Sequence, residues 1–184
     1  TMYTAIVLYP SDRERLFDCF YSQPVGDTVP CDWVKKGDHV TINMGKISPE
    51  WNDVRVLGRK CSFYLSRMYV APTHGIIAVS IGGMWANNHE STVGPDQVIV
   101  DHTDTPMHEQ HNVIDNEEGT YGLTSINKVP HITLFHAPNV KPVKSNEVLE
   151  SASLTPESKN DIHTHIWKPH QFFDGEMKEV THNK

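Results

Sequence analysis

The sequence is poor in cysteine, in long apolar runs and in positive charge. Its three cysteines (Cys19, Cys31 and Cys61) lack Cys-x-x-Cys spacing, which predicts reduced thiols and a cytoplasmic setting, the host cytoplasm if the source is viral. No run approaches the roughly 18 apolar residues of a membrane span, and no signal-peptide pattern is visible, so we expect no membrane partner. The net charge of −7 disfavours duplex nucleic acid as a partner, although a small anionic ligand held by local donors is compatible with it.

The 184 residues fit one domain with a sizeable core, or two small lobes that share one. The apolar run 4–9 predicts a buried strand that ends at Pro10. Ser11 and Glu14 have the spacing of a capping box, which predicts a helix from Ser11 to about Ser22. Other apolar runs predict strands at 54–57, 61–70 and 76–81, the last ended by Gly82-Gly83. Strands interleaved with few helices predict an α+β fold.

Two regions differ in composition from the rest of the chain. Residues 84–127 are rich in histidine and acidic residues and contain one apolar run, which is typical of an insertion or a lid. Residues 151–184 are mostly polar, and we interpret them as a C-terminal extension that packs only in part. The sequence therefore predicts one principal domain at 1–150, followed by this extension.

Two short stretches carry the same polar pattern on strands that are otherwise apolar. In the stretch 37–45, His39, Thr41 and Asn43 share one face, and the alternate residues are apolar. The stretch 129–136 repeats the device with His131 and Thr133. A His-x-Ser/Thr triplet alone means little, because chance supplies about two in a chain with 12 histidines and 26 serines and threonines, and three are present. The third triplet, at 89–91, has no apolar strand around it, and we interpret it as a chance match.

The pair His39-Val40-Thr41-Ile42 and His131-Ile132-Thr133-Leu134 resembles the two motifs of the 2H phosphoesterase superfamily. This superfamily includes RNA 2′,3′-cyclic phosphodiesterases, the RNA 2′-5′ ligases, RNA-repair phosphodiesterase domains and phage enzymes that destroy cyclic-oligonucleotide signals. The resemblance implies a two-lobed fold of antiparallel sheets flanked by few helices, with both motif strands facing one central cleft.

By this resemblance, His39, Thr41, His131 and Thr133 form the catalytic site of a metal-independent phosphodiesterase that needs no cofactor. One histidine would act as base and the other as acid, which suits an unperturbed pKa near 6.5, and the threonine hydroxyls would hold the phosphate oxygens. The expected substrate is a small cyclic nucleotide or oligonucleotide, or a short RNA ending in a 2′,3′-cyclic phosphate. If the substrate is a cyclic nucleotide or oligonucleotide, the enzyme could be a phage counter-defence protein that degrades such signals. Further substrate contacts are expected from Tyr9, Asn43, Trp85 and Phe135.

Two other functions fit the sequence. The cluster of histidines and acids at 101–111 is compatible with a metal site and therefore with a metal-dependent enzyme or binding protein. Its His108-Glu109-Gln110-His111 spacing, however, is not that of the zinc proteases. A non-catalytic nucleotide-binding module is the other alternative. The simplest interpretation of each motif alone is a strand histidine bonded to backbone beside a routine β-forming threonine.

Overall fold

The computed structural model describes residues 2–87, 120–154 and 161–181. Its strands are β1 (Met2–Leu8), β2 (Val34–Lys35), β3 (His39–Met44), β4 (Lys60–Ala71), β5 (Ile76–Ala86), β6 (Tyr121–Gly122), β7 (His131–His136), β8 (His163–Ile166) and β9 (Phe172–Thr181). Its α-helices are α1 (Pro10–Tyr21), α2 (Pro49–Asp53) and α3 (Lys144–Leu154), and 3-10 turns lie at Pro24–Thr28 and Pro72–His74.

The strands form one antiparallel sheet with the order β2-β7-β5-β4-β9-β1-β3. Two short strands lie off this path, with β6 paired to β5 and β8 paired to β4. The predicted α+β class, with antiparallel strands and few helices, is confirmed.

The two ends of this strand order are joined by the chain itself. After β2, the backbone N–H groups of Lys36 and Gly37 donate to the carbonyls of Leu134 and Thr133 on β7, at 2.8 Å each. Gly37 has a φ of +71°, and a Cβ there would overlap the Phe17 ring. The chain is thus held against β7 until it turns into β3, which brings the two motif strands together.

Most of the core lies between the sheet and α1. Leu16, Phe17 and Phe20 of α1 are buried, and both phenylalanines pack against Phe135 of β7. A smaller cluster lies beneath α3, where Val148 and Leu149 pack with residues of β5. The motif strands therefore rest on packed apolar layers.

Three local predictions were wrong. Helix α1 begins at Pro10 with Tyr9 at the N-cap, so Ser11 lies inside the first turn and no capping box forms, because proline with its fixed φ suits the first helical position. Residues 54–57 form no strand. Strand β5 runs through Gly82 and Gly83 to Ala86, because the missing side chains leave room for the Tyr64 ring of β4.

The region predicted as a C-terminal extension contributes to the interior of the sheet. Strand β9 lies between β4 and β1, and its Phe172, Phe173 and Met177 are buried. The strand alternates between these apolar residues and partly exposed acids, which is why its composition appears polar. Gly175 allows the backbone of Val7 on β1 to approach closely.

The ends of the histidine-rich stretch 84–127 lie in the sheet, where Trp85 and Ala86 of β5 pair with β6. Residues 88–119, which include the 89–91 triplet and the 101–111 cluster, lie outside the described residues. Among the helices that are described, none has the length and apolar character needed to cross a membrane.

Candidate active site

Strand β3 has the alternation that the sequence predicts. Val40 and Ile42 are buried in the core, whereas His39 and Thr41 are half-buried on the opposite face. Strand β1 supports this face, because Val7 pairs with His39 and Ala5 with Thr41.

Strand β7 presents the second motif in the same way. Ile132 and Leu134 are completely buried, and Thr133 is half-buried on the other face. His131 is only 8% exposed, so its imidazole is far less hydrated than that of His39.

The structure brings the four predicted catalytic residues to one cavity of about 370 Å³. His39 and Thr41 line it from β3, and His131 and Thr133 line it from β7. This volume lies in the range of pockets that hold a small organic ligand. The remaining lining residues are Tyr3, Lys36, Asp38, Met44, Asn127, Lys141, Pro142, Val143 and Asn146.

The surroundings of His131 hold it in one neutral form. Its Nδ1 lies 2.8 Å from the Val129 carbonyl oxygen, and since a carbonyl can only accept, Nδ1 carries the hydrogen. The lone pair is then on Nε2. The pKa of His131 is lowered from 6.5 to about 4. Burial is the main cause and the charge of nearby His39 adds to it, while the Val129 hydrogen bond acts in the opposite direction. At neutral pH His131 is therefore a proton acceptor.

His39 has different neighbours. Its Nδ1 lies 3.5 Å from a carboxylate oxygen of Asp38, an ion-pair distance that is long for a hydrogen bond. The pKa of Asp38 is held below its usual value, chiefly by its interaction with the His39 side chain. The ring of Tyr3 packs against the imidazole, with ring centroids 5.0 Å apart. The two histidines thus carry the same motif in unlike settings.

The two threonines also differ. The Thr133 hydroxyl lies 2.7 Å from the hydroxyl of Ser145, which is fully buried near the start of α3. In the other motif, the Ser125 hydroxyl donates a hydrogen bond to the backbone carbonyl of Thr41 at 2.7 Å, and not to its side chain. Neighbouring Ile126 donates its N–H to the Ile42 carbonyl at 2.8 Å. The segment around Ser125 thus covers the free edge of β3 and carries Asn127 into the cavity.

Asn43 was predicted to share the face of His39 and Thr41, and the structure differs here. The register between β1 and β3 shifts, with Thr4 paired to Asn43 and Ala5 to Thr41, so that β3 has one extra residue. Such a β-bulge reverses the side-chain alternation beyond it. Met44 therefore lines the cavity, and the Asn43 amide donates to the Lys46 carbonyl at 2.8 Å.

The three predicted aromatic contacts lie away from the cavity lining. Tyr9 is at the N-cap of α1, and Phe135 is buried against the rings of Phe17 and Phe20. Trp85 is buried, donates its indole N–H to Asn87 at 2.8 Å and packs against Phe172. Among the described residues, the tyrosine at the cavity is Tyr3, which lies on β1 one residue before the predicted buried strand 4–9.

Sequence reasoning missed most of the other lining residues because they lie on loops. Lys36 and Asp38 belong to the link between β2 and β3, and Asn127 to the link between β6 and β7. Lys141 and Asn146 come from the turn into α3 and its first residues. Asp38 had one local signal, since it directly precedes His39.

Comparison with known proteins matches half of the chain to a family. Residues 89–181 match the family model described as the fungal tRNA ligase phosphodiesterase domain. The match includes the second motif strand, β7, and begins after the first, β3. A solved structure titled "Crystal Structure of Fungal RNA Kinase" aligns with 95% of this chain at 14% identity and a TM-score of 0.48. The chain spans 45% of the length of that protein. No curated protein sequence matches the chain.

Proposed function

Because the chain belongs to the fungal tRNA ligase phosphodiesterase domain family, which is of the 2H phosphoesterase type, we propose that it hydrolyses a 2′,3′-cyclic phosphate at the end of an RNA strand. The observation that carries this proposal is that His39, Thr41, His131 and Thr133 line one cavity, although β3 is the last strand of the sheet order and β7 is the second. The family description names the phosphodiesterase domain of a tRNA ligase, which favours an RNA end over a cyclic-oligonucleotide messenger.

The different surroundings of the two histidines favour a different catalytic role for each. His131 is neutral with its lone pair on Nε2, so it can take a proton from the attacking water. His39 would donate a proton to the ribose oxygen as the phosphorus–oxygen bond breaks. The Asp38 carboxylate lies beside His39, where its negative charge suits a group that must start the reaction as an imidazolium. Each turnover consumes one water, opens the cyclic ester and leaves a phosphomonoester.

The polar groups of the cavity suit an anion. The two threonine hydroxyls can donate to non-bridging phosphate oxygens, where charge accumulates in the transition state. Lys36 and Lys141 add two positive charges to the lining, and among the residues that the structure describes Asp38 is its one acidic residue. Met44, Pro142 and Val143 supply apolar surface on which the sugar and base of the terminal nucleotide can rest.

The proposal is tested with a short RNA that ends in a 2′,3′-cyclic phosphate. His39→Ala and His131→Ala should each abolish hydrolysis, and Thr41→Ala or Thr133→Ala should lower the rate by about 10²–10³-fold, as loss of one oxyanion donor does. His165→Ala, at an exposed histidine of β8, is the matched control and should keep the wild-type rate. Products are separated by mass and by phosphate position.

A substrate panel measured alongside separates the alternatives. We expect the cyclic-phosphate RNA end to be turned over faster than a 2′-5′ dinucleotide or a cyclic oligonucleotide, with the rate kept in excess EDTA. Wild-type turnover in either histidine variant would refute the assigned catalysis. Activity that is lost on chelation would favour the metal-dependent alternative, and tight binding without turnover would favour a binding module.

A further inference from the structure

Ser145 is a buried residue outside both motifs that touches one of the proposed phosphate donors. Its hydroxyl lies 2.7 Å from that of Thr133, and Ser145 is completely buried. It stands at the second position of α3, twelve residues along the chain from Thr133.

Backbone hydrogen bonds hold both residues, Ser145 and Thr133, in place. The Ser145 N–H donates to the Pro142 carbonyl at 3.0 Å, and the neighbouring N–H groups of Lys144 and Asn146 close the same turn at 3.0 and 3.1 Å. On the strand side, the Thr133 carbonyl accepts from the Gly37 N–H at 2.8 Å. The short distance between the two hydroxyls is thus fixed by two anchored segments.

Only one proton can lie between the two oxygens, and the bound phosphate determines which residue supplies it. In the free protein either hydroxyl can donate to the other, and the second acceptor within reach of Thr133, the Pro142 carbonyl, is a long 3.5 Å away. Once Thr133 donates its proton to a phosphate oxygen, the proton between the hydroxyls must come from Ser145. The result is a chain from Ser145 to Thr133 to phosphate, in which each hydrogen bond strengthens the next.

We propose that Ser145 is a positioning residue that directs the Thr133 hydroxyl proton into the cavity and makes it a stronger donor to the phosphate. This inference rests on the proposed function. No hydroxyl does the same for Thr41 within the described residues, since the Ser125 hydroxyl is bound to the Thr41 backbone. The Thr133 half of the site is therefore the one that depends on a residue outside its motif.

The test is a double-mutant cycle on hydrolysis of the cyclic-phosphate RNA end. Ser145→Ala should lower kcat by about 5-fold, the size expected for one hydrogen bond, with a smaller change in KM. Thr133→Val keeps the shape of threonine without its hydroxyl. In that background Ser145→Ala should cost less than about 2-fold, because the two residues act as a unit. Ser145→Cys, with a weak donor of similar shape, should fall between serine and alanine.

Two controls separate this role from support of the turn. Ser153→Ala removes an exposed serine hydroxyl from the same helix and should leave kcat unchanged. Urea unfolding of each variant should show that the loss of kcat does not follow the loss of stability. An equal loss from Ser145→Ala in both backgrounds, or none in the wild-type background, would overturn the role of Ser145 while leaving the proposed function intact. Unchanged kcat in Thr133→Val would instead overturn the assignment of Thr133, and the role of Ser145 with it.

Discussion

Burial of His131 predicts that the protein loses stability in mild acid. The folded state keeps this imidazole neutral down to a pKa of about 4, whereas the unfolded chain takes up a proton near 6.5. Between these values the unfolded state binds more protons, so stability falls as the pH falls. Above about pH 6.5, the titration of His131 takes almost nothing from the free energy of unfolding. About 2 kcal/mol of it should be lost by pH 5, and about 3 kcal/mol once the pH is below 4.

His131→Asn isolates this contribution. The asparagine amide can still donate to the Val129 carbonyl, as Nδ1 does at 2.8 Å, but it does not titrate. Urea unfolding of both proteins at pH 7 and pH 5 gives four free energies, in which the titration of distant groups cancels. We expect the wild type to lose about 2 kcal/mol more than the variant between the two pH values.

An exposed histidine supplies the comparison for this measurement. His165→Asn on β8 should leave the pH dependence of the wild type nearly unchanged. Parallel losses in the wild type and His131→Asn would refute the reasoning, because they would mean that His131 has the same proton affinity in the folded and unfolded chains.

Two further predictions concern the cavity wall and the link that closes it. Lys141→Met should raise KM several-fold with little change in kcat, and the effect should fade at about 1 M salt, because Lys141 lines the cavity and its attraction for an anion is screened. Steady-state kinetics at two salt concentrations test this, with Lys128→Met, at an exposed lysine, as the control. An equal rise in KM in both variants would contradict the prediction. Gly37→Ala should lower the free energy of unfolding by well over 1 kcal/mol, because a left-handed φ and a clash with the Phe17 ring act together. Gly45→Ala has a similar φ with open space around it, so equal losses by urea unfolding would show that the clash does not matter.

The motif strands could be predicted from sequence because their pattern is local. On β3, buried Val40 and Ile42 alternate with half-buried His39 and Thr41, so a period of two identifies both the strand and its polar face. The strands β4 and β5 were predictable from a different local signal, their continuous apolar runs. The limit of this reasoning appears at the bulge beside Ile42, which moves Asn43 off the face and Met44 onto it. A bulge is set by pairing with β1, and the sequence of one strand does not carry that information.

Long-range pairing also explains why the strand at the end of the chain could not be predicted from its sequence. Strand β9 has Phe172, Phe173 and Met177 as its buried residues, among charged positions that resemble a solvated tail. What makes it a strand is the presence of β4 on one side and β1 on the other, each of which leaves an edge to be paired. Gly175 lies at the register position opposite Leu8, and its lack of a side chain admits the Val7 backbone.

The two motifs are alike in sequence and unlike in surroundings, and the surroundings assign the proposed roles. His131 is committed to one neutral tautomer by the Val129 carbonyl and by burial, whereas His39 is half-buried beside the Asp38 carboxylate. The Thr133 hydroxyl is hydrogen-bonded to that of Ser145, and among the described residues no hydroxyl is bonded to that of Thr41. A His-x-Thr pattern predicts where an acid, a base and two donors can lie, because these depend on strand alternation. In the proposed reaction, the groups that the fold brings to each motif decide which histidine accepts the proton. The His131 and Ser145 experiments measure this asymmetry.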